Sequence, residues 1–417
     1  MVLSGKSISS RKIMTAVLLI AAAAVCFVFY SRVNAAENVK KGFVREDGET
    51  YYYKDGRKYT GWLSYEGQRF YFYRSSSTGS GQKHSKGAMA TGWQLIDGEK
   101  FYFFRSGKKG SGLEHSKGAM ATGWQKIDGV KYYFYRSSST DSGQKHTKGA
   151  LATGWQKIDG YKFYFFKSSV KGHVKGQMAT GWQILEGKKF YFFKSDKTYG
   201  RSGIMATGAR NIDSKGCIFD KSGKLLMTDM KGWYKVGGSY YFCDRKTGKL
   251  LRNATVNCIK IDEDAKAVMT DYAKEKIPVM IKARQIVEEI CDEGDSLKDK
   301  QWKCYEYVAE PPYLFKCYPL KKYRDKFACF TAVYANNILN AYGDQKKIGG
   351  DCVTESAALG YLYNELDFGT VFFCDDSAHA WIEINGRTWD PLFVEAKGKK
   401  WYNRKGYAYA ALNKTEI

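Results

Sequence analysis

Histidine is scarce in this 417-residue chain, with five in all and only His379 after His173. Imidazole chemistry in the C-terminal part therefore has one candidate. No CxxC or HxxxH spacing occurs, so the usual zinc frameworks are excluded and neither a metal nor a cofactor is expected. Proline is absent before Pro278, and all five (Pro278, Pro311, Pro312, Pro319, Pro391) fall in the last third. Acidic residues are sparse over 37–256, where 18 face 40 lysines and arginines for a formal +22. Over 257–417 the balance is 25 to 23, or −2. A chain this long exceeds one ordinary core. The contrast in composition implies two domains meeting near Asn253–Asp262.

One long uncharged run is present, Ile13–Tyr30. Lys6, Arg11 and Lys12 precede it, and Val33-Asn34-Ala35 follows with small residues at the positions of a cleavage site. Residues 1–35 read as an export signal. The run is also near the lower limit for crossing a bilayer, so an uncleaved membrane anchor is the alternative, and membrane attachment is expected only in that case. In both cases the rest lies outside the cytoplasm, secreted or at the cell surface. Ten cysteines less Cys26 leave nine, an odd number. Cys304 with Cys317 would close a short proline-containing loop.

The basic region repeats. Thr-Gly-Trp begins at Thr60, Thr91, Thr122, Thr153 and Thr180, a degenerate Thr-Gly-Ala at Thr207, and Lys-Gly-Trp at Lys231. Each unit runs from Gly-Trp through a turn to an aromatic cluster such as Phe101–Phe104, Tyr132–Tyr135 or Phe163–Phe166. Asp97-Gly98, Asp128-Gly129 and Asp159-Gly160 are hairpin dipeptides between short β-prone runs. A lone hairpin cannot bury its aromatic face, so the units must stack, and residues 42–252 read as an elongated all-β hairpin solenoid.

These units resemble the cell-wall-binding repeats of bacterial surface proteins, the group that includes choline-binding and glucan-binding modules. The resemblance rests on Gly-Trp, the turn glycine, the Tyr/Phe run and the "GAMATGW" junction. It implies aromatic boxes for choline or platforms for sugar rings, at Trp93, Tyr102, Trp124, Tyr133, Trp155, Tyr164 and Trp182. The competing reading makes the same rings simply the solenoid core. Two departures stand out: inserted loops such as Arg74–Lys86, and Lys-Phe/Tyr where the second box position carries Trp. His84, His115 and His146 recur at 31-residue steps inside these loops and belong to the repeat pattern rather than a metal site. The charge favours an anionic wall polymer or glycan as partner. Nucleic acid is not expected for an exported aromatic solenoid.

Beyond Asp262 the pattern becomes helical. Pro278–Glu293 carries an apolar stripe opening on proline, and Lys321–Ala341 is similar. Gly349-Gly350 forms a turn, Asp351 caps a helix, and Cys352 falls in that helix's first turn, where backbone N–H groups stabilise a thiolate. Thr370–Cys374, Ala378–Ile384 and Arg387–Trp389 read as strands, the last two joined at Asn385-Gly386. Alternation places His379, Trp381 and Glu383 on one strand face, which is expected to meet the helix bearing Cys352.

Cysteine, then histidine 27 residues on, then Asp390 eleven further, is the order of a papain-type nucleophile, base and orienter. The region resembles the transglutaminase-like superfamily through Gly350-Asp351-Cys352, His379-Ala380-Trp381 and Trp389-Asp390-Pro391. The resemblance implies an α+β, papain-like fold over 257–417, with Cys352 as nucleophile, His379 as base and Asp390 holding the imidazole. No oxyanion-stabilising side chain is matched, although Tyr334 and Tyr342 lie upstream. The whole chain then reads as a multidomain exported cysteine enzyme held at the wall by its repeats and acting on peptide or protein amides through a thioester. Transfer and hydrolysis both stay open. The alternative is a non-catalytic glycan-binding adhesin with an inactive C-terminal domain.

Overall fold

The computed structural model describes residues 39–417 apart from 78–82, 110–113, 140–144, 196–201, 310–313, 316–320, 344–347, 350, 377 and 407–409. The export segment, Cys317 and Gly350 lie outside the described residues. The chain divides into two compact units, Met1–Ala179 and Thr180–Ile417.

The first unit is built from antiparallel hairpins. Gly61–Tyr65 pairs with Gln68–Phe72, Gly92–Ile96 with Glu99–Phe103, Gly123–Ile127 with Val130–Phe134, and Gly154–Ile158 with Tyr161–Phe165. Their turns need two successive residues at positive φ, which Asp97 and Gly98 (50° and 81°) supply, as do Asp128 and Gly129. Each junction segment joins hairpins together. Met120 bridges to Phe103, while its N–H donates to the Arg69 carbonyl of the preceding hairpin at 2.7 Å. Leu151 repeats this toward Lys100 and Met178 toward Lys131. The aromatic runs fill the space between hairpins, so Phe72, Phe103, Phe134 and Phe165 are wholly buried.

The second unit begins with further hairpins: Gly181–Leu185 with Lys188–Phe192, Gly208–Ile212 with Lys215–Phe219, Gly232–Val236 with Ser239–Cys243, and Ala254–Val256 with Ile259–Ile261. Helices follow: α1 Asp271–Ile290, α2 Leu297–Ala309, α3 Lys321–Arg324, α4 Phe330–Leu339, α5 Cys352–Glu365 and α6 Pro391–Lys397. Helix α1 starts seven residues before Pro278. Thr270 caps it through the Ala273 N–H, and Ala273 and Ile277 extend the buried stripe, so packing outweighs the backbone hydrogen bond that an interior proline removes. The expected helix over 321–341 is two helices, interrupted between Arg324 and Phe330.

A five-stranded antiparallel sheet lies in the order Arg404–Lys405, Arg387–Trp389, Ala380–Ile384, Phe372–Asp375, Asn413–Glu416. Helices α4 and α5 pack with it in one buried cluster containing Tyr334, Ala335, Ala357, Leu359, Leu362 and Ile382. The fold of this part is α+β. The same cluster takes in Trp233, Phe242, Ile259 and Ile261 from the hairpins of this unit. Arg245 reinforces the junction through a salt bridge to Glu365 at 2.7 Å, with the carboxylate side chain 3% exposed. Hairpin sequence thus gives way to helix near residue 262, while the compact unit begins at Thr180.

Cys304 lies beside Cys291, at the end of α1, close enough for each thiol to bear on the other's pKa. The expected pairing of Cys304 with Cys317 falls on a residue outside those described.

Candidate functional site

Cys352 is the first residue of α5. Asp351 caps the helix, its Oδ1 accepting from the Thr354 N–H and hydroxyl, both at 2.7 Å. The Thr354 hydroxyl accepts in return from the Asp351 N–H. This reciprocal cap fixes where the helix starts, and so where the thiol sits. Ser356, one turn along the same face, donates from Oγ to the Ala380 carbonyl at 3.0 Å. The face of α5 that begins at Cys352 is therefore fastened to the residue directly after His379.

His379 lies just before its strand, in a turn where Asp376 Oδ1 accepts its N–H at 2.7 Å and its carbonyl accepts the Asp376 N–H. Its Nε2 bonds to Asp390 Oδ2 at 2.6 Å, with Asp390 fully buried. The other Asp390 oxygen accepts the Phe393 N–H at 3.0 Å, which makes Asp390 the cap of α6. Phe393 stacks on the imidazole with centroids 4.1 Å apart and 18° between planes. Carboxylate and phenyl ring together fix the imidazole's orientation, leaving Nδ1 for a second partner. Sequence reasoning missed Phe393, whose signal was its position three residues after Asp390, in the first turn behind a proline.

The expected face of the histidine strand is corrected. Ala380, Ile382 and Ile384 form the set that joins the α5 core, and a Cβ on Gly360 of α5 would meet Ile382 at 3.4 Å. Trp381 is buried apart from that cluster and donates to Glu383 at 3.2 Å. His379 precedes the first paired residue, so the alternation of the strand does not set its direction.

Glu355, one turn after Cys352, is a second surprise. It is 3% exposed, its Oε2 has no hydrogen-bond partner, and its pKa is pushed up to about 9. Burial is the largest cause, followed by Glu395, Asp351 and Asp390. Tyr334 is fully buried, while Tyr342 donates its hydroxyl to the Glu275 carbonyl at 2.8 Å. Among the described residues no group of His, Cys, Asp and Glu is arranged to hold a metal.

In the repeats, Trp93 meets Tyr102 of its own hairpin edge-on at 5.1 Å, and Tyr132 and Phe134 of the next hairpin at 5.0 and 5.7 Å. Trp124 makes the same contacts with Tyr133, Phe163 and Phe165. Trp155 pairs with Tyr164 at 5.2 Å and is more open, 36% exposed. Trp182 pairs with Tyr191 and Phe219. These rings are wedges between hairpins, and a cation sits over four of the repeat tryptophans: Arg69 over Trp62, Lys100 over Trp93, Lys131 over Trp124 and Lys189 over Trp182. The loop histidines stack face-on against the last ring of each run, His84 on Tyr73 at 3.4 Å, His115 on Phe104 at 3.5 Å and His146 on Tyr135 at 3.6 Å.

Comparison with known proteins finds the repeats. The family described as "Putative cell wall binding repeat" matches residues 91–109, 122–137 and 153–169. No curated protein matches. Among solved structures, choline binding protein F from Streptococcus pneumoniae, crystallised in the presence of a peptidoglycan analogue, is 26% identical over 53% of this chain, with a TM-score of 0.33. This chain spans 61% of that protein's length. A multimodular pneumococcal cell wall endolysin from phage Cp-1, complexed with choline, is 19% identical over 44% of this chain and 41% of its own, with a TM-score of 0.21. An alternansucrase in complex with isomaltononaose is 19% identical over 55% of this chain and 18% of its own, at 0.22. Scores this low reflect no shared superposition of whole chains. The hairpin units at 91–109, 122–137 and 153–169 are thus similar to cell wall binding repeats.

Proposed function

We propose that this protein is an exported cysteine enzyme of transglutaminase-like type, held at the cell wall by its repeats and acting on peptide or protein amides. The observation that carries the reading is the buried His379–Asp390 hydrogen bond of 2.6 Å, at the end of a strand fastened to the helix that opens on Cys352. In this reading His379 Nδ1 takes the thiol proton and the sulfur attacks the amide carbon. The imidazolium, steadied by Asp390, then returns the proton to the leaving amine, and a thioester forms. An amine that takes the acyl group gives a new amide, whereas water gives a carboxylic acid; in either case the thiol is regenerated. Peptidoglycan stem peptides fit a wall-held enzyme as substrates.

The experiment offers a glutamine-containing peptide, with and without a primary amine, to the full chain and to Cys352→Ala. Amine incorporation or ammonia release by the native chain alone is expected. A second reading, a wall-binding protein without catalysis, is favoured by a family match confined to the repeats. Absence of turnover on varied amides, with Cys352 inert to a small alkylating agent, would select it.

A further inference from the structure

The same cation-over-tryptophan arrangement recurs in successive repeats. Arg69 lies 4.2 Å from the Trp62 centroid, Lys100 4.4 Å from Trp93, and Lys131 4.8 Å from Trp124. Lys189 over Trp182 at 4.6 Å repeats it in the second unit. The local cause is register. Trp93 pairs with Tyr102 and Leu95 with Lys100, so tryptophan and lysine share one hairpin face two positions apart. The backbones that carry the cations are themselves held, since the carbonyls of Arg69, Lys100 and Lys131 accept the N–H of Met120, Leu151 and Met178 from later junction segments.

A tryptophan face within about 6 Å of a cation is what a quaternary ammonium ligand requires. Here a tethered cation already occupies it, at the high effective concentration of an intramolecular group. Lys100 is also partly desolvated, and its pKa is lowered first by burial and then by repulsion from Lys175. Two like charges thus converge at this point. Beside Arg69 a cavity of about 270 Å³ is lined by Gln68, Lys108, His115 and Lys148, with Glu114 as its one acid.

From these contacts we infer that the repeats of the first unit bind a phosphate-bearing anionic polymer through the Arg69, Lys100 and Lys131 cations, and that the faces of Trp62, Trp93 and Trp124 beneath those cations are closed to quaternary ammonium ligands. This rests on the reading of the repeats as a wall anchor and names the chemistry of what they hold. The cations already spread over the rings present their outer N–H groups to phosphate oxygens, and the rings hold those groups in place.

The test titrates the full chain with poly(glycerol phosphate), choline chloride and neutral dextran, followed by tryptophan fluorescence and calorimetry. Binding of the phosphate polymer is expected, weakening roughly tenfold or more between low and high salt as screening grows, with no saturable response to choline or dextran. The variant Arg69→Gln/Lys100→Gln/Lys131→Gln keeps an unbranched polar side chain at each position and removes three charges. It is expected to lose at least about tenfold in affinity. The control Lys126→Gln/Lys157→Gln/Lys171→Gln removes equal charge at exposed positions and is expected to lose far less. Saturable choline or dextran binding overturns the inference while leaving the wall anchor standing, as does an equal loss in both triple variants. Failure to bind any probe, together with failure to bind isolated walls, overturns the anchor reading and the inference with it.

Discussion

Asp390 serves two structures through two oxygens, one on the His379 ring and the other capping α6. The two roles separate by substitution. Asn is as good a cap as Asp, so Asp390→Asn should melt within a few degrees of the native chain while turnover falls by about 10³–10⁴-fold, because an amide neither fixes the tautomer nor steadies the imidazolium. Asp390→Ala loses the cap as well, at a further cost of about 1 kcal/mol. Melting curves and rates on both variants check this, and equal activity in Asp390→Asn and native protein would remove Asp390 from the mechanism. Glu355 carries a pH prediction. Its pKa rises from 4.5 to about 9 on folding, chiefly through burial, so between those values the unfolded chain releases a proton that the folded chain retains. Stability therefore falls as pH rises through that window. Glu355→Gln removes the loss, and its melting temperature should gain on the native protein between pH 5 and pH 8. A gap that stays constant would show that Glu355 ionises as an ordinary carboxyl.

Among the helices, the contact between the end of α1 and α2 bears on the oxidising exterior expected for this chain. Cys291 and Cys304 are neighbours, both with pKa raised mainly by burial, so they form a slow pair of nucleophiles rather than a reactive site. Oxidised glutathione should convert them to a disulfide, releasing two molecules of reduced glutathione and lowering the protein mass by two hydrogens. A link across a loop this short stabilises by about 3 kcal/mol in the chain-entropy account, a rise of several degrees in melting temperature for a unit of this size. Peptide mapping after oxidation checks the pairing, and a bridge from Cys304 to any other cysteine would count against it.

Taken as a whole molecule, the chain divides where its sequence does not. Trp233 and Phe242, on a Gly-Trp hairpin, lie in the core of the helical part, and Arg245 neutralises the buried Glu365. A fragment of residues 257–417 loses the Arg245 partner of Glu365 and exposes the apolar surface that Trp233 and Phe242 covered. It should aggregate or melt well below a fragment of residues 180–417, as circular dichroism of the two would show. Equal melting temperatures would mean that the hairpins merely rest on the helical part.

The hairpin repeats were legible from the residues because turn stereochemistry is local. Asp-Gly supplies two positive φ values wherever it falls, and a Tyr/Phe run beside it leaves little else to form. The start of α5 at Cys352 and the hairpin turning at Asn385-Gly386 were equally readable, since helix caps and the strand-turn-strand pattern are decided within a few residues. What the sequence could not decide depended on neighbours far along the chain. Ala380 and Ile382 rather than Trp381 face α5, where Ser356 holds the Ala380 carbonyl and the two side chains join the buried cluster. The Glu355 pKa is raised by burial and then by three other carboxylates, two of which come to it from a distant segment, and Trp233 packs among the helices although it lies on a repeat hairpin. Local geometry wrote the elements and their order, whereas burial and charge, which exist only once distant segments meet, determined which faces, protons and boundaries they acquired.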